Sequence, residues 1–148
     1  MPAENFYKFE KQAVAHLEAC FPDVCTVRAV NDFWDVLNFA PEVVGNGTVK
    51  RGALFVHFDS YKVLGKQPCS MFEQIWTISV VTKNLCDIIG NKAAREENGL
   101  LMTRVFESIA ALAEALSPAV VLQVTQGPRY PVQERLGVCL SHITVSIK

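Results

Sequence analysis

The chain has 148 residues, of which half are hydrophobic and 20% are charged. This composition excludes a disordered chain, and at this length folding can remove roughly 70% of the extended chain's surface from water. The net charge of −1, from 14 Lys and Arg against 15 Asp and Glu, gives no overall field that would attract DNA, RNA or an anionic membrane.

The sequence predicts neither a signal peptide nor a membrane-spanning segment. Acidic and aromatic residues occupy Met1–Glu10, where a signal peptide has a basic start and an apolar stretch, and no apolar run is longer than Ile109–Ala113. The five cysteines are odd in number and scattered, which is typical of reduced cytosolic thiols, so we expect no disulfide. Cys20 and Cys139 lie among apolar residues, where free cysteine packs as a small hydrophobic residue.

The first element is an amphipathic helix over Glu4–Phe21, which ends at Pro22 because the residue before proline disfavours helical geometry. Its apolar stripe consists of Phe6, Phe9, Ala13, Val14, Leu17, Cys20 and Phe21. A short strand is predicted at Val24–Val30, followed by a helical turn that Asn31 or Asp32 would cap.

Two central strands follow a loop over Pro41–Gly52. The first covers Ala53–Asp59, with Leu54, Val56 and Phe58 on one face, and the second covers Glu73–Thr82. In the second strand, Trp76, Ile78 and Val80 form the expected buried face. The residues between them, Tyr61–Met71, are predicted to be a loop.

Periodicity lapses over Lys83–Asn98, which predicts a long exposed connection. A second helix then covers Asn98–Leu116, with an apolar stripe of Leu101, Met102, Val105, Phe106, Ile109, Leu112 and Leu116. Two last strands are predicted at Ala119–Thr125 and Gly137–Ile147, joined by a segment that contains the turn signal Gly127-Pro128. In the final strand only one face is expected to belong to the core.

This order of elements predicts an α+β fold, in which one mostly antiparallel, mixed sheet carries two main helices on one face. A single domain over residues 1–148 is expected, without internal repeats. We expect one continuous core between the sheet and the second helix, formed by Trp76, Ile78, Val80, Leu101, Val105, Ile109, Leu112, Ile143 and Val145.

No motif for catalysis, cofactor binding or metal binding is recognisable. His16, His57 and His142 lie on three separate elements, and none has a second ligand at metal-binding spacing, although the sequence leaves open that they meet in space. The glycines follow no phosphate-binding order, no serine lies in a nucleophile elbow, and Cys86 has no basic neighbour at a spacing that would activate it. We therefore predict no catalytic residue, no cofactor and no metal.

Charged and aromatic residues concentrate in the predicted loops, and tyrosine and arginine are favoured in protein interfaces. The alternative explanation for each of these residues is that it is simply solvated in its loop and takes part in no interface. The candidate interface residues are Tyr61, Lys62, Ile88, Ile89, Arg95, Glu96, Glu97, Arg129, Tyr130 and Arg135. We further predict that Lys83–Asn98 is an assembly element, mobile in the isolated subunit and ordered by a neighbouring copy or by the structure to which the assembled copies bind.

Several strings resemble the tail-terminator proteins of long-tailed phages, particularly the small Mu-type tail proteins found in prophages. They are the strand Ala53–Phe58, the Trp-containing strand Gln74–Asn84, and Asn98-Gly99-Leu100-Leu101 at the start of a long helix. The opening amphipathic helix and the order of elements add to the resemblance. Two stretches, Arg28–Phe39 and Glu42–Arg51, depart from the pattern.

The resemblance implies a structural protein of the virion tail, assembled in the bacterial host cytoplasm. It would form a ring, with six copies as the expected number, that caps the tail tube, stops its polymerisation and joins the head or neck. Its partners would be itself, the tube protein and a head–tail joining or neck protein. The alternatives are a head-closure or neck connector protein, or a small host ligand-binding or enzymatic α/β domain.

Overall fold

A computed structural model describes residues 5–24, 26–32, 35–36, 52–64, 71–83, 92–117, 121–125, 134–135 and 138–148. These residues form two helices, α1 (Lys8–Cys20) and α2 (Lys92–Leu116). They also form the strands β1 (Thr26–Ala29), β2 (Ala53–Leu64), β3 (Met71–Lys83), β4 (Leu122–Thr125), β5 (Glu134–Arg135) and β6 (Val138–Ile147).

The strands make one sheet in the order β1-β2-β3-β6-β4, with the two-residue β5 also paired to β6. Only β1 and β2 run parallel, and the other neighbours are antiparallel. The long strand β3 is central, with Phe58 opposite Trp76 on one side and Val145 opposite it on the other. The predicted α+β fold with a mixed, mostly antiparallel sheet is confirmed.

Both helices pack on the same face of the sheet, which we call the helix face. The buried stripe of α1 is Phe9, Ala13 and Leu17, spaced four residues apart, so one side of the helix contacts the sheet. All nine residues of the predicted core are buried in a single cluster with this stripe. Matched periodicities on strand and helix therefore located the core correctly.

The strands β2 and β3 are longer than the sequence predicted. Residues 61–64 and Met71 are strand, so the prediction of a loop over Tyr61–Met71 is wrong at both ends. The reason is pairing, since Tyr61 lies opposite Gln74 and Val63 opposite Phe72. A bulge between Phe58 and Ser60 inserts one residue and shifts the two-residue alternation, which hid the continuation of the strand.

Helix α2 begins at Lys92, so the prediction of an exposed connection through Asn98 is wrong for residues 92–98. Ala94 and Asn98 are buried and extend the apolar stripe of α2 by two turns toward its start. The hydroxyl of Thr82 donates to the Ala94 carbonyl (2.7 Å), which fixes this first turn on β3. The preceding residues 84–91 lie outside the described part of the chain.

Smaller differences concern the ends of elements. Strands β1 and β4 are shorter than predicted, and α1 begins at Lys8. Asp32 accepts a hydrogen bond from the Asp35 amide (3.0 Å), in agreement with its predicted capping role. Cys139 is buried as expected, but Cys20 is exposed because the four-residue stripe of α1 continues to Phe21 instead.

Candidate functional site

The end of the β2–β3 hairpin projects from the sheet as an arm, which we define as residues 59–64 and 71–73. Strand β1 pairs with β2 only as far as Val56, and β6 pairs with β3 only from Gln74 onward. All residues from Asp59 to Val63 are exposed. The arm is therefore a two-stranded ribbon with solvent on both faces, a structure that is marginally stable without further packing.

Aromatic side chains cover the helix face of the arm and continue onto the body. We call this set the aromatic cluster, and it consists of Phe6, Tyr7, Phe58, Tyr61, Phe72 and Trp76. Phe6 lies at its centre, with ring centroids 5.8 Å from Tyr61 and 5.6 Å from Phe72, both edge to face. Such pairs stabilise by roughly 0.5–1.5 kcal/mol beyond the area that they bury.

A chain of two hydrogen bonds, from Trp76 through Gln74 to Phe6, holds the residues before α1 beside the arm. The side-chain amide of Gln74 donates to the Phe6 carbonyl (2.6 Å), and the Trp76 indole donates to the Gln74 side-chain oxygen (3.0 Å). The Asn5 side chain accepts a bond from the Tyr7 amide (2.8 Å), which turns the chain into α1. Phe6 and Tyr7 are thus fixed on the arm while remaining partly exposed.

The predicted interface residues fall at two opposite ends of the sheet. Tyr61 and Lys62 lie on the arm, exposed as expected. Arg95, Glu96 and Glu97 lie instead in the first turns of α2, beside the far end of β3. Ten residues of β3 separate Phe72 from Thr82, or about 33 Å along the strand. The structure therefore does not bring these two groups together.

The remaining predicted interface residues are only partly covered by the structure. Ile88, Ile89, Arg129 and Tyr130 lie outside the described residues. Arg135 is described in its backbone, where it pairs with Val138 in the row that also holds Lys83. That row lies at the same end of the sheet as the start of α2.

The sheet face opposite the helices is also buried, although its sequence pattern suggested a solvated surface. Phe55, Val81 and Leu140 at one end of this second face are almost fully buried. Polar residues fill the rest, in two adjacent cross-strand rows. One row is His57–Thr77–Thr144, and the other is Phe55–Ser79–His142.

Two polar atoms on this second face are buried in the same row. His57 is 7% exposed, and among the described residues neither its Nδ1 atom nor the Thr144 hydroxyl has a hydrogen-bond partner. In the adjacent row, Nδ1 of His142 and the Ser79 hydroxyl share a hydrogen bond (2.9 Å). Buried polar groups normally have partners, so this row is a second candidate site, suited to a small hydrogen-bonding molecule.

Burial keeps both histidines neutral. It lowers the pKa of His142 to about 4, with a smaller contribution from the charge of His57. Burial likewise lowers the pKa of His57, against the opposing influence of Asp59 and Asp32. The desolvation of a charged imidazole is the physical cause in both cases.

The third histidine, His16, lies between the helices, with Nε2 2.8 Å from the Ser108 carbonyl oxygen. Over the described ranges, no three His, Cys, Asp or Glu side chains are placed to hold a metal ion. No helix in the part of the chain that the structure describes is long and apolar enough to cross a membrane.

No protein-family model matches the chain, and no curated protein is significantly similar to it.

Sequence reasoning found Tyr61 in the arm but missed Phe6, Tyr7 and Phe72. A signal was present, because Tyr61 and Val63 alternate with Ser60 and Lys62, and Phe72 alternates with Glu73. The second face gave a misleading signal, since serine, threonine and histidine alternating with apolar residues normally indicate a solvent-exposed face.

Proposed function

We propose that the chain is a structural subunit of a phage tail, a tail terminator that forms a ring on the end of the tail tube. In this proposal the ring, for which the resemblance implies six copies, stops tube polymerisation and gives the head or neck a surface to join. Its work is stoichiometric binding, without a cofactor and without catalysis. The subunit would be assembled in the host cytoplasm and remain in the virion tail.

The observation that carries the proposal is the exposed part of the aromatic cluster, on and beside the projecting arm, which consists of Phe6, Tyr7, Tyr61 and Phe72. Aromatic residues exposed together at the tip of a small domain are typical of protein interfaces, because they offer large contact areas at low entropic cost. The two groups of predicted interface residues at opposite ends of the sheet add support. A cyclic ring needs two different surfaces on each subunit, one for each neighbour.

Tube length is the direct test. The chain would be expressed with the tube protein encoded in the same gene cluster, and tube lengths measured by electron microscopy with and without it. We expect tubes of limited length capped by a ring when the chain is present, and long uncapped tubes when it is absent. A matched pair of variants, Tyr61→Asp on the arm and Thr103→Asp on the exposed side of α2, separates loss of an interface from a general charge effect, since each adds one negative charge. Equal tube lengths with and without the chain would refute the proposal.

The same experiment separates the tail terminator from the alternative within the structural class. A head-closure or neck connector protein would bind the head side and leave the length of purified tubes unchanged. Capture of capsid portal assemblies without any effect on tubes would favour that alternative.

A small ligand-binding domain is the second candidate function, and the second face of the sheet favours it. His57 and Thr144 present buried polar atoms in one row, beside the hydrogen-bonded pair of Ser79 and His142. A bound molecule with hydrogen-bonding groups would supply the partners that these buried atoms lack among the described residues. Native mass spectrometry of the purified protein tests it, since a bound molecule lost on denaturation and on His57→Phe substitution would support this function.

A further inference from the structure

The outer edge of β2 on the arm has backbone groups that point into solvent. The Val30 amide donates to the Val56 carbonyl (2.9 Å), so the backbone groups of Val56 point away from β3. Outward and inward orientation alternate along a strand, and the one extra residue in the bulge shifts this alternation by one. The backbone groups of Tyr61 and Val63 therefore also point away from β3. In the described residues, no strand pairs with β2 beyond Val56, and this stretch of the edge is exposed.

We infer that this edge of β2 pairs, antiparallel, with the same edge of a second copy of this chain, so that the two aromatic clusters lie side by side and form one continuous surface across the joint. An exposed strand edge readily takes up another strand, and natural proteins commonly block it with proline or several charges. Here residues 59–64 contain no proline and only two charges, Asp59 and Lys62.

Charge favours a second copy as the occupant. Asp59 and Lys62 have opposite signs and stand three positions apart on the edge. When two copies run antiparallel with Tyr61 opposite Tyr61, Lys62 faces Ser60 of the other copy and lies next to its Asp59, and the reverse contact forms by symmetry. Opposite charges across paired strands stabilise the pairing, and the same residues in parallel pairing would place like charges together.

The area available also fits a dimer. The exposed fractions of the four exposed rings of the aromatic cluster run from 36% for Phe6 to 57% for Tyr61. With roughly 150–250 Å² per aromatic side chain, the rings of two copies together offer on the order of 700 Å². Only the rings next to the joint lose part of this area, and the paired strands add main-chain and side-chain area, so the contact fits a weak dimer below the ~1,200 Å² at which specific stable interfaces begin.

This contact is two-fold symmetric and uses the arm that a head-to-tail ring would also use, so the dimer and the ring are alternative assemblies of the chain. It goes beyond the proposed tail function and does not depend on it, because it concerns only the isolated chain. The prediction on tube length and the prediction on dimerisation can therefore be refuted independently of each other.

The test uses Val63, whose amide points outward and takes no part in pairing with β3. Val63→Pro removes that donor at an edge position where proline is tolerated, and Val63→Thr keeps the donor with a side chain of similar size. Sedimentation of the full chain over a concentration series is expected to show a monomer–dimer equilibrium. The proline variant should weaken it at least about tenfold, and the threonine variant should change it by less than about threefold.

Hydrogen exchange gives a second measurement if the proline variant does not fold. The amides of Tyr61 and Val63 should gain protection as the wild-type concentration rises, while the exposed end of α2 should not. A wild-type protein that remains monomeric, with both amides unprotected, would overturn the inference and leave a strand of a different protein as the occupant. A dimer that Val63→Pro does not weaken would overturn it as well.

Discussion

Acidification should destabilise the protein through His142, and the size of the effect follows from its surroundings. Burial lowers the pKa of this histidine from 6.5 to about 4 in the folded protein. The unfolded chain therefore binds more protons between these two values, and the stabilisation present above pH 6.5 is lost as the pH falls through 4. One full proton contributes about 1.4 kcal/mol per pH unit, so His142 alone accounts for at most about 3 kcal/mol of the loss, and for less because water reaches part of the ring.

The assay is urea unfolding at several pH values between about 7.5 and 4, for the wild type and for His142→Gln. Glutamine does not titrate, so the pH dependence of the variant should be shallower by about one proton. Part of the dependence should persist, because burial also lowers the pKa of His57. The comparison near pH 7.5, where both histidines are neutral, serves as the control and reports only the change in packing.

A direct measurement of the imidazole pKa by NMR would decide the same point. A His142 pKa close to 6.5 in the folded protein would refute the reasoning. Equal pH dependence of stability in the wild type and His142→Gln would refute it too, since the second face would then not exclude water from this ring.

Three further substitutions have expected effects on the free energy of unfolding. Ile109→Ala should cost roughly 2–5 kcal/mol because Ile109 is buried against the sheet, and a loss below about half a kcal/mol would contradict that. Asn98→Ala removes bonds from its amide to the Val80 carbonyl (3.0 Å) and the Cys139 carbonyl (3.1 Å) and should cost about 1–3 kcal/mol by urea unfolding, whereas an unchanged midpoint would contradict the bonds. Gly52→Ala should destabilise by about 1 kcal/mol or more, since Gly52 has a φ of 83° and its added Cβ would lie 2.8 Å from Leu101. The helical control Gly99→Ala, with nothing within 4 Å, should instead stabilise in the same thermal-melt comparison, by about 0.5–1 kcal/mol.

The helix face was predictable because each of its elements shows a simple period. Trp76, Ile78 and Val80 alternate along β3, and Val105, Ile109 and Leu112 recur along α2, so the sequence alone indicates that this strand face and this helix face pack together. Apolar burial is the main driving force of folding, and it acts through these same side chains. A periodic apolar sequence therefore gives both the element and its buried side.

The start of α2 was not predictable in this way because it is held to the sheet by hydrogen bonds from a buried polar residue. Asn98 is almost fully buried, and its side chain donates to two strands and accepts from the Ser141 hydroxyl (2.7 Å). A pattern rule counts asparagine as a loop residue, since its partners are distant in sequence and become visible only in the folded chain. The same limitation applies to Ser79 and His142, which satisfy one another across neighbouring strands.

The arm shows how one residue can determine a surface. Without the bulge between Phe58 and Ser60, strict alternation would place Ser60 on the helix face and turn Tyr61 and Val63 toward the other side. The inserted residue reverses this phase, so that Tyr61 meets Phe72 and Phe6 in the aromatic cluster, while Lys62 lies on the opposite face beside Glu73. The same shift turns the Val63 amide outward, to the exposed edge of the arm. The aromatic surface and the strand edge that we assign to self-association therefore have a common origin in the bulge, and any change that removes it should remove both together.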